Sequence, residues 1–222
     1  MEVEINQLLS AIKANLSGPI KSDAIPKMPI SFQSLSEDDL VKALTLSYRK
    51  MVEQRGIHYE DISGAEISRK IRGAVAWMTA PSRRSCLLLQ GVAGTGKTTL
   101  LWAIYSLFSL TNTAMLYTSA QKLFDYYALL MSGTSVLFSE YKTERRLFID
   151  DLGAEPARCL YYGVEYMPIQ EVLTFRYERQ LPTIITTNLS DSKIRERYGE
   201  RISDRFAEMC TILRFSGKSY RK

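Results

Sequence analysis

The chain has 222 residues, of which 45% are hydrophobic and 24% are charged, with a net charge of +5. This length and composition predict one globular domain with room for a small appendage. Because no apolar run reaches the roughly 18 residues that a membrane-spanning helix needs, the sequence excludes a protein that spans a membrane.

The cysteines and the amino terminus indicate a cytoplasmic protein. The three cysteines, Cys86, Cys159 and Cys210, lie far apart in the sequence. His58 is the single histidine, so no zinc site can be assembled, and free thiols fit a reducing compartment. The first ten residues, MEVEINQLLS, are acidic and amphipathic, unlike a signal peptide.

The excess of positive charge lies in one part of the chain. Residues 193–222 contain nine Lys or Arg against four Asp or Glu, whereas the rest of the chain is balanced. A basic segment attracts phosphates, either on nucleic acid or on the nucleotide of a neighbouring subunit. The alternative is charge that only keeps the protein in solution.

Residues 1–65 predict a helical extension with a proline-bearing linker. Apolar residues recur every three or four positions over 3–16, which predicts an amphipathic helix. A second helix is predicted from the capping sequence SEDD at 36–39 to residue 54. The helix at 3–16 is typical of a segment that docks on a partner, and the alternative is that it folds back onto its own domain.

From Cys86 onward, short apolar runs alternate with helical patterns, after a third predicted helix at 65–79. The five apolar runs are CLLLQ at 86–90, AMLYTS at 114–119, LFID at 147–150, TIITTN at 183–188 and CTILRF at 210–215. The helical patterns cover residues 97–110, 119–131, 168–180 and 199–209. Continuous apolar strands separated by helices predict an α/β domain whose parallel sheet is covered on both faces.

The sequence GVAGTGKTT, between the first strand and the next helix, is a complete G-x-x-x-x-G-K-[ST] motif. Its residues are Gly91, Val92, Ala93, Gly94, Thr95, Gly96, Lys97, Thr98 and Thr99. The glycines let backbone N–H groups turn towards phosphate oxygens, and the following helix adds its N-terminal donors. We expect Lys97 to reach the β- and γ-phosphates of ATP and Thr98 to ligate Mg²⁺. A chance match has odds of about one in a hundred, and the strand-to-helix context lowers them.

Two later strands end in polar side chains that suit the same site. In LFIDDLGAEP we expect Asp150 to hold the metal and Asp151 to polarise the attacking water. In LPTIITTNLS we expect Asn188 to hold that water or to sense the γ-phosphate. The alternatives are an ordinary strand-to-loop exit for the two acids and a turn-forming role for Asn188.

The segment YGERISDRF at 198–206 carries Arg201 and Arg205 four residues apart, on one face of a predicted helix. Acids lie among these arginines, so the spacing alone predicts an exposed helix with surface ion pairs. An ATP site elsewhere in the chain favours the functional interpretation instead. In that interpretation, Arg205 stabilises the charge on the γ-phosphate of another subunit's nucleotide.

In this order and spacing, GVAGTGKTT, LFIDDLGAEP, LPTIITTNLS and YGERISDRF resemble the DnaC/IstB-like branch of the AAA+ ATPases, over residues 66–222. This branch comprises bacterial and phage helicase loaders and the ATP-binding subunits of certain transposons. The resemblance implies a five-stranded parallel sheet in the order 5-1-4-3-2. The sequence departs from the family after the last strand, where few residues follow, so we expect the small helical lid common in AAA+ proteins to be reduced or absent. It also implies roles for the motif residues: Walker A at Gly91–Thr99, Walker B at Asp150 and Asp151, sensor 1 at Asn188, and an arginine finger at Arg205 or, as second choice, Arg201.

The resemblance further implies ATP-dependent self-association into spirals or rings, with single-stranded DNA along their channel. The segment ARCLYYGVEYMP at 157–168 faces the channel in such assemblies. Its Arg158, Tyr161, Tyr162 and Tyr166 combine a cation with stacking surfaces, which is what single strands bind to. The alternative is a loop whose tyrosines pack on its own domain.

The first functional hypothesis is therefore an ATP-hydrolysing helicase loader that binds single-stranded DNA and hands a replicative helicase to it. An alternative is a transposition helper ATPase whose partner is a transposase. A third hypothesis, from another class, is a nucleotide-gated adaptor that binds ATP and a protein without hydrolysis. In each of them, residues 66–222 are the ATPase domain and residues 1–65 are its extension.

Overall fold

The structure is a computed structural model that describes residues 27–29, 32–62, 64–81, 84–111 and 113–216. The helix predicted at 3–16 lies outside these residues. The chain divides into two compact units, Met1–Pro81 with Thr99–Thr113, and Ser82–Thr98 with Ala114–Lys222. The predicted boundary between residues 65 and 66 remains a prediction.

The described residues of the first unit form helices. They are α1 (Glu37–Glu53), α2 (Tyr59–Ile62), α3 (Ala65–Thr79) and, from Thr99 onward, α4 (Lys97–Ser109). α1 begins where the capping sequence predicts, because the Ser36 hydroxyl accepts the Asp39 N–H at 3.1 Å. α1 and α3 pack against each other with their apolar faces buried, and the rings of Phe32 and Phe108 lie 6.0 Å apart.

The second unit combines strands with helices. Its strands are β1 (Cys86–Gly91), β2 (Leu116–Ser119), β3 (Leu147–Leu152), β4 (Cys159–Tyr161), β5 (Val164–Tyr166), β6 (Thr183–Thr187) and β7 (Cys210–Phe215). Its helices are the start of α4, α5 (Ala120–Met131), α6 (Leu137–Thr143), α7 (Pro168–Glu178), α8 (Asp191–Tyr198) and α9 (Glu200–Met209). The five predicted strands are confirmed, whereas α6, α8 and the hairpin strands β4 and β5 were not predicted.

Five of these strands form one parallel sheet in the order β2-β3-β6-β1-β7. Strands β4 and β5 lie outside this sheet and pair with each other in antiparallel fashion. When the five strands of the sheet are numbered alone, the order from the β7 edge is 5-1-4-3-2. The predicted α/β class and sheet order are therefore confirmed.

Apolar side chains from strands and helices of the second unit form one buried cluster. Leu88, Ile149 and Ile185 contribute from the neighbouring strands β1, β3 and β6. Leu123 of α5 and Val172 of α7 belong to the same cluster. Because helices bury these strands, the polar residues that follow them emerge together at the carboxyl edge of a packed sheet, where ligands bind in α/β folds.

None of the helices within the described ranges combines the length and the apolar character that crossing a membrane requires. The predicted reduction of the helical lid concerns residues after β7, most of which lie outside those ranges.

Candidate nucleotide-binding site

The loop that follows β1 has positive backbone angles at three glycines. Gly91, Gly94 and Gly96 have φ values of 152°, 82° and 93°. Residues other than glycine rarely adopt these values, because their Cβ atom clashes with the backbone. Gly91 also has no room for a side chain, because a Cβ there would lie 2.0 Å from the Phe215 carbonyl oxygen. The loop thus makes the compact turn between β1 and α4 that the motif predicts.

Lys97, the first residue of α4, is buried within this loop. Only 5% of the residue is exposed, and its ammonium donates to the Val92 carbonyl oxygen at 2.7 Å. The Thr95 hydroxyl donates to the same oxygen at 2.9 Å. A buried ammonium is costly unless anions or several acceptors surround it, so this position suits a residue that binds phosphate.

Three residues of the motif, Val92, Ala93 and Thr99, have different surroundings. Ala93 is exposed, as is Val92 beside it. Thr99 belongs to the helical unit, where its buried hydroxyl accepts a hydrogen bond from Arg55 at 3.0 Å.

Asp150, near the end of β3, is buried and accepts hydrogen bonds from three side chains. Thr98 donates to Oδ1 at 3.0 Å, Thr186 donates to the same oxygen at 2.5 Å, and Tyr117 donates to Oδ2 at 3.4 Å. The structure thereby brings together Thr98 and Asp150, the two side chains predicted to ligate Mg²⁺. Hydroxyl and carboxylate oxygens fit this ion, which also retains water and binds substrate phosphates.

The described residues contain no cluster of three His, Cys, Asp or Glu side chains that would hold a metal ion. A magnesium site at Thr98 and Asp150 would accordingly need oxygens from phosphate and water to complete it.

Asp150 and Asp151 form a β-bulge in β3, and their side chains have different surroundings. Between the pairs that flank them, β3 contains one residue more than β6. Asp150 is buried, whereas Asp151 is exposed and has a positive φ of 54°. The Thr186 hydroxyl contacts both: it accepts the Asp151 N–H at 2.8 Å and donates to Asp150. Bulges next to functional sites re-aim a side chain, and the sequence did not reveal this one or the role of Thr186.

Asn188 follows the buried end of β6 and is exposed. Because β3 and β6 are paired at their ends, Asn188 and Asp151 lie at the same edge of the sheet. Leu189 packs so closely on Gly153 that a Cβ on that glycine would lie 2.6 Å from the Leu189 Cδ1. The segments that follow β3 and β6 are therefore in direct contact.

A buried acid in the loop after β3 was not predicted. The Glu155 carboxylate accepts the Gly153 N–H at 2.8 Å and the Tyr198 hydroxyl. Arg197 donates to the Glu155 carbonyl oxygen, and its Nε lies 3.7 Å from the carboxylate. Burial, and then the adjacent carboxylate, raise the pKa of Tyr198 well above its usual value. Since Arg197 and Tyr198 are 42 and 43 residues further along, no local signal indicates this network.

The two arginines of α9 have different surroundings. Arg205 donates to the Thr174 hydroxyl at 2.5 Å, lies 3.6 Å from the Glu178 carboxylate, and has a side chain that is only 12% exposed. Its guanidinium also lies 4.9 Å from the ring centre of Tyr177. Arg201 is exposed and makes no hydrogen bond or ion pair within the described residues. Arg201 is thus open to another molecule, while α7 holds Arg205.

The segment predicted to contact DNA forms the β4–β5 hairpin. Tyr162 lies at its tip, 91% exposed, with a positive φ of 48°. Leu160 and Val164 beside it are also exposed. The other three predicted residues contact their own domain: the Tyr161 hydroxyl donates to the Met131 carbonyl at 2.8 Å, the Tyr166 ring lies 5.7 Å from that of Tyr127, and Arg158 lies 2.7 Å from the Glu165 carboxylate.

No protein-family model and no curated protein matches the chain. Among solved structures, the DnaC helicase loader is 22% identical with a TM-score of 0.53, and the match covers 69% of this chain and 92% of that one. DnaI is 23% identical with a TM-score of 0.57, over 87% of this chain and 94% of that one.

The replication initiator DnaA, solved with AMPPCP and single-stranded DNA, is 21% identical with a TM-score of 0.54. This match covers 71% of the present chain and 48% of that DnaA chain, about half of its length. Structural similarity at these low sequence identities is evidence of a shared fold. The chain therefore shares the fold of these solved DnaC, DnaI and DnaA chains, as the resemblance predicts.

Proposed function

We propose that this chain is an ATP-binding and ATP-hydrolysing accessory protein of DNA replication that acts as a helicase loader. The observation that carries the proposal is the 3.0 Å hydrogen bond from Thr98 to Asp150 beside the buried Lys97. It joins the end of the phosphate-binding loop to the acid on β3, two strands away in the sheet, as a nucleotide with Mg²⁺ requires.

Each side chain has a distinct role in this proposal. Lys97 exchanges the Val92 carbonyl for phosphate oxygens, and Thr98 and Asp150 hold Mg²⁺, which when bound neutralises phosphate charge. Asp151, exposed on the bulge, polarises the attacking water, and Asn188 at the same sheet edge orients it.

An arginine of α9 completes the ATP site of a neighbouring subunit. Arg205 occupies the position that the family motif gives to the arginine finger. To bind phosphate, it would give up its contacts with Thr174 and with the half-exposed Glu178. Solvent screens this ion pair on the Glu178 side only, and a triphosphate, which carries several negative charges, competes with the single carboxylate for the guanidinium. Arg201 is the alternative, and it already faces solvent. Either residue makes self-association depend on ATP.

Single-stranded DNA stacks on the hairpin in this proposal. The exposed ring of Tyr162 supports this role, because bases stack on aromatic side chains that are open to solvent. The basic excess of residues 193–222 adds sequence-independent attraction for the backbone. The solved DnaA chain of the same fold was bound to single-stranded DNA. The protein partner is a replicative helicase, as the likeness to two loaders favours; a transposase is the alternative.

Steady-state ATP hydrolysis, measured with and without single-stranded DNA, tests the proposal. We expect turnover that DNA stimulates, no nucleotide binding in Lys97→Ala, and binding without turnover in Asp151→Asn. Ordinary ATP affinity in Lys97→Ala would contradict the loop assignment. A parent protein that binds ATP but never turns it over would be a nucleotide-gated adaptor instead.

Mixing variants tests whether the arginine acts between subunits. Arg205→Ala, and separately Arg201→Ala, is combined with Asp151→Asn. The true finger variant should lose about 10³-fold or more in turnover and regain part of it in the mixture. A loss that the mixture does not restore would place the arginine in its own site or in the fold alone.

A further inference from the structure

The buried Glu155 connects the loop after β3 to the end of α8. Its carboxylate accepts the Gly153 N–H at 2.8 Å and also the Tyr198 hydroxyl. The Arg197 guanidinium donates to its backbone carbonyl and lies 3.7 Å from the carboxylate. One short loop is thus fixed to two consecutive residues at the carboxyl end of a helix.

These contacts lie between the two parts of the proposed ATPase site. On one side, Gly153 follows closely after Asp151. On the other, Tyr198 is followed by Gly199, whose φ of 83° marks the turn where α8 ends and α9 begins. The Tyr198 carbonyl also accepts a hydrogen bond from Gln170 of α7 at 2.7 Å, so this turn is held from two directions.

A buried carboxylate is an expensive way to hold a loop in place. Moving it out of water is strongly unfavourable unless hydrogen bonds and a counter-ion compensate. Glu155 has both, from Tyr198 and Arg197, and charge-assisted bonds of this kind depend strongly on geometry. A small displacement of the loop would therefore be transmitted to α8 rather than absorbed between them.

We propose that Glu155 is a positioning residue that sets the place of α9 according to the nucleotide bound beside Asp151. When nucleotide binds beside Asp151, the 151–155 loop shifts, Glu155 carries this displacement to Arg197 and Tyr198, and α9 moves its arginines relative to the next subunit. The inference rests on the proposed function, because it requires that an α9 arginine completes a neighbouring ATP site.

Glu155→Gln keeps the shape of the side chain and removes its charge. We expect this variant to bind a fluorescent ATP analogue like the parent, and to lose about 10- to 100-fold in DNA-stimulated turnover, as a misplaced reacting group does. Glu196→Gln is the matched control on α8, because Glu196 is exposed and makes no hydrogen bond or ion pair within the described residues. The control should keep both activities.

Mixing two variants distinguishes a failure to deliver the arginine to the next subunit from general damage to the protein. Asp151→Asn has no turnover of its own but keeps an intact α9, so it can complete the ATP site of a Glu155→Gln neighbour. A one-to-one mixture should recover about a quarter of the parental rate, since half of the sites are competent and half of their neighbours donate. Recovery to that level would support the inference.

Two other results would overturn it. If Glu155→Gln keeps the parental rate, or if its mixture stays inactive while an α9 arginine variant recovers with Asp151→Asn, Glu155 does not position α9. If no arginine variant recovers with Asp151→Asn, delivery between subunits fails, and the inference fails with that step of the proposed function. Should Glu155→Gln not fold, Tyr198→Phe, which removes one donor and no charge, is mixed with Asp151→Asn in the same way. Recovery of that mixture would support the positioning role, and an inactive mixture would overturn it.

Discussion

Tyr162 allows backbone strain and DNA binding to be tested in one residue. Its φ of 48° and the 77° of Gly163 are both positive, as in a type I′ hairpin turn, where asparagine is favoured before glycine. A tyrosine in the left-handed region costs about 1–2 kcal/mol. Because Tyr162 is 91% exposed and its ring contacts only the ring of Tyr161 among the aromatic rings of the described residues, with centres 4.6 Å apart, burial offsets little of that cost. The hairpin therefore keeps a conformationally unfavourable residue at an exposed position, where the proposed function places a contact with DNA.

Replacing Tyr162 by asparagine should change stability and DNA affinity in opposite directions. The free energy of unfolding should rise by about 1 kcal/mol, which corresponds to a Tm increase of about 2–4 °C for a chain of this size. The affinity for single-stranded DNA should fall by about 5- to 150-fold, since one stacked base is worth about 1–3 kcal/mol. Thermal unfolding and fluorescence anisotropy with a labelled oligonucleotide, at one fixed salt concentration, measure the two quantities.

The control Tyr162→Phe keeps the ring and the strained backbone, so both quantities should stay near their parental values. If stability rises while DNA affinity falls, general damage to the fold does not explain the behaviour of the asparagine variant. Unchanged DNA affinity in that variant would show that the ring does not stack on a base. Lower stability would show that the positive φ of Tyr162 does not strain the turn.

Two further predictions concern the sheet edge. Thr186→Val removes the acceptor of the Asp151 N–H and a donor to the buried acid of β3, so urea unfolding should show a loss of about 2–4 kcal/mol. Thr211→Val on β7, whose hydroxyl makes no hydrogen bond within the described ranges, should lose far less, and equal losses would contradict the role of Thr186. Hydrogen bonds, first that from Arg214, lower the pKa of Asp191, so its stabilisation is present at neutral pH and lost as the pH falls through that lowered pKa. Asp191→Asn should be less stable than the parent at about pH 7, and this difference should shrink as the pH falls through the lowered pKa of Asp191; equal stability at neutral pH would refute this.

The sheet and the phosphate loop could be predicted because their signals are local. Each strand of the parallel sheet is a short apolar run, and burial on both faces makes such runs conspicuous. The loop from Gly91 to Thr99 has its full motif in nine consecutive residues. The order of the strands came from the resemblance, since strand order depends on contacts between distant segments.

The rest depends on contacts that the sequence does not display. Glu155 finds its partners 42 and 43 residues away, and Arg205 is held by Thr174 of another helix. α8 was missed because only Ile194 and Tyr198 are buried in it, too few to give a helical period. The hairpin was missed because its two strands have three residues each, too short for a clear alternation.

The pairing of β1 with β7 has a consequence for biosynthesis. Cys86 lies opposite Cys210 and Gly91 opposite Phe215, so the strand that leads into the phosphate loop has the last strand as one neighbour. In the order of translation, β1 leaves the ribosome long before β7. Until β7 follows, the nascent protein exposes the edge of an apolar strand and lacks the Phe215 backbone that closes on Gly91, so we expect it to be prone to aggregation at first and to complete the turn after β1 last.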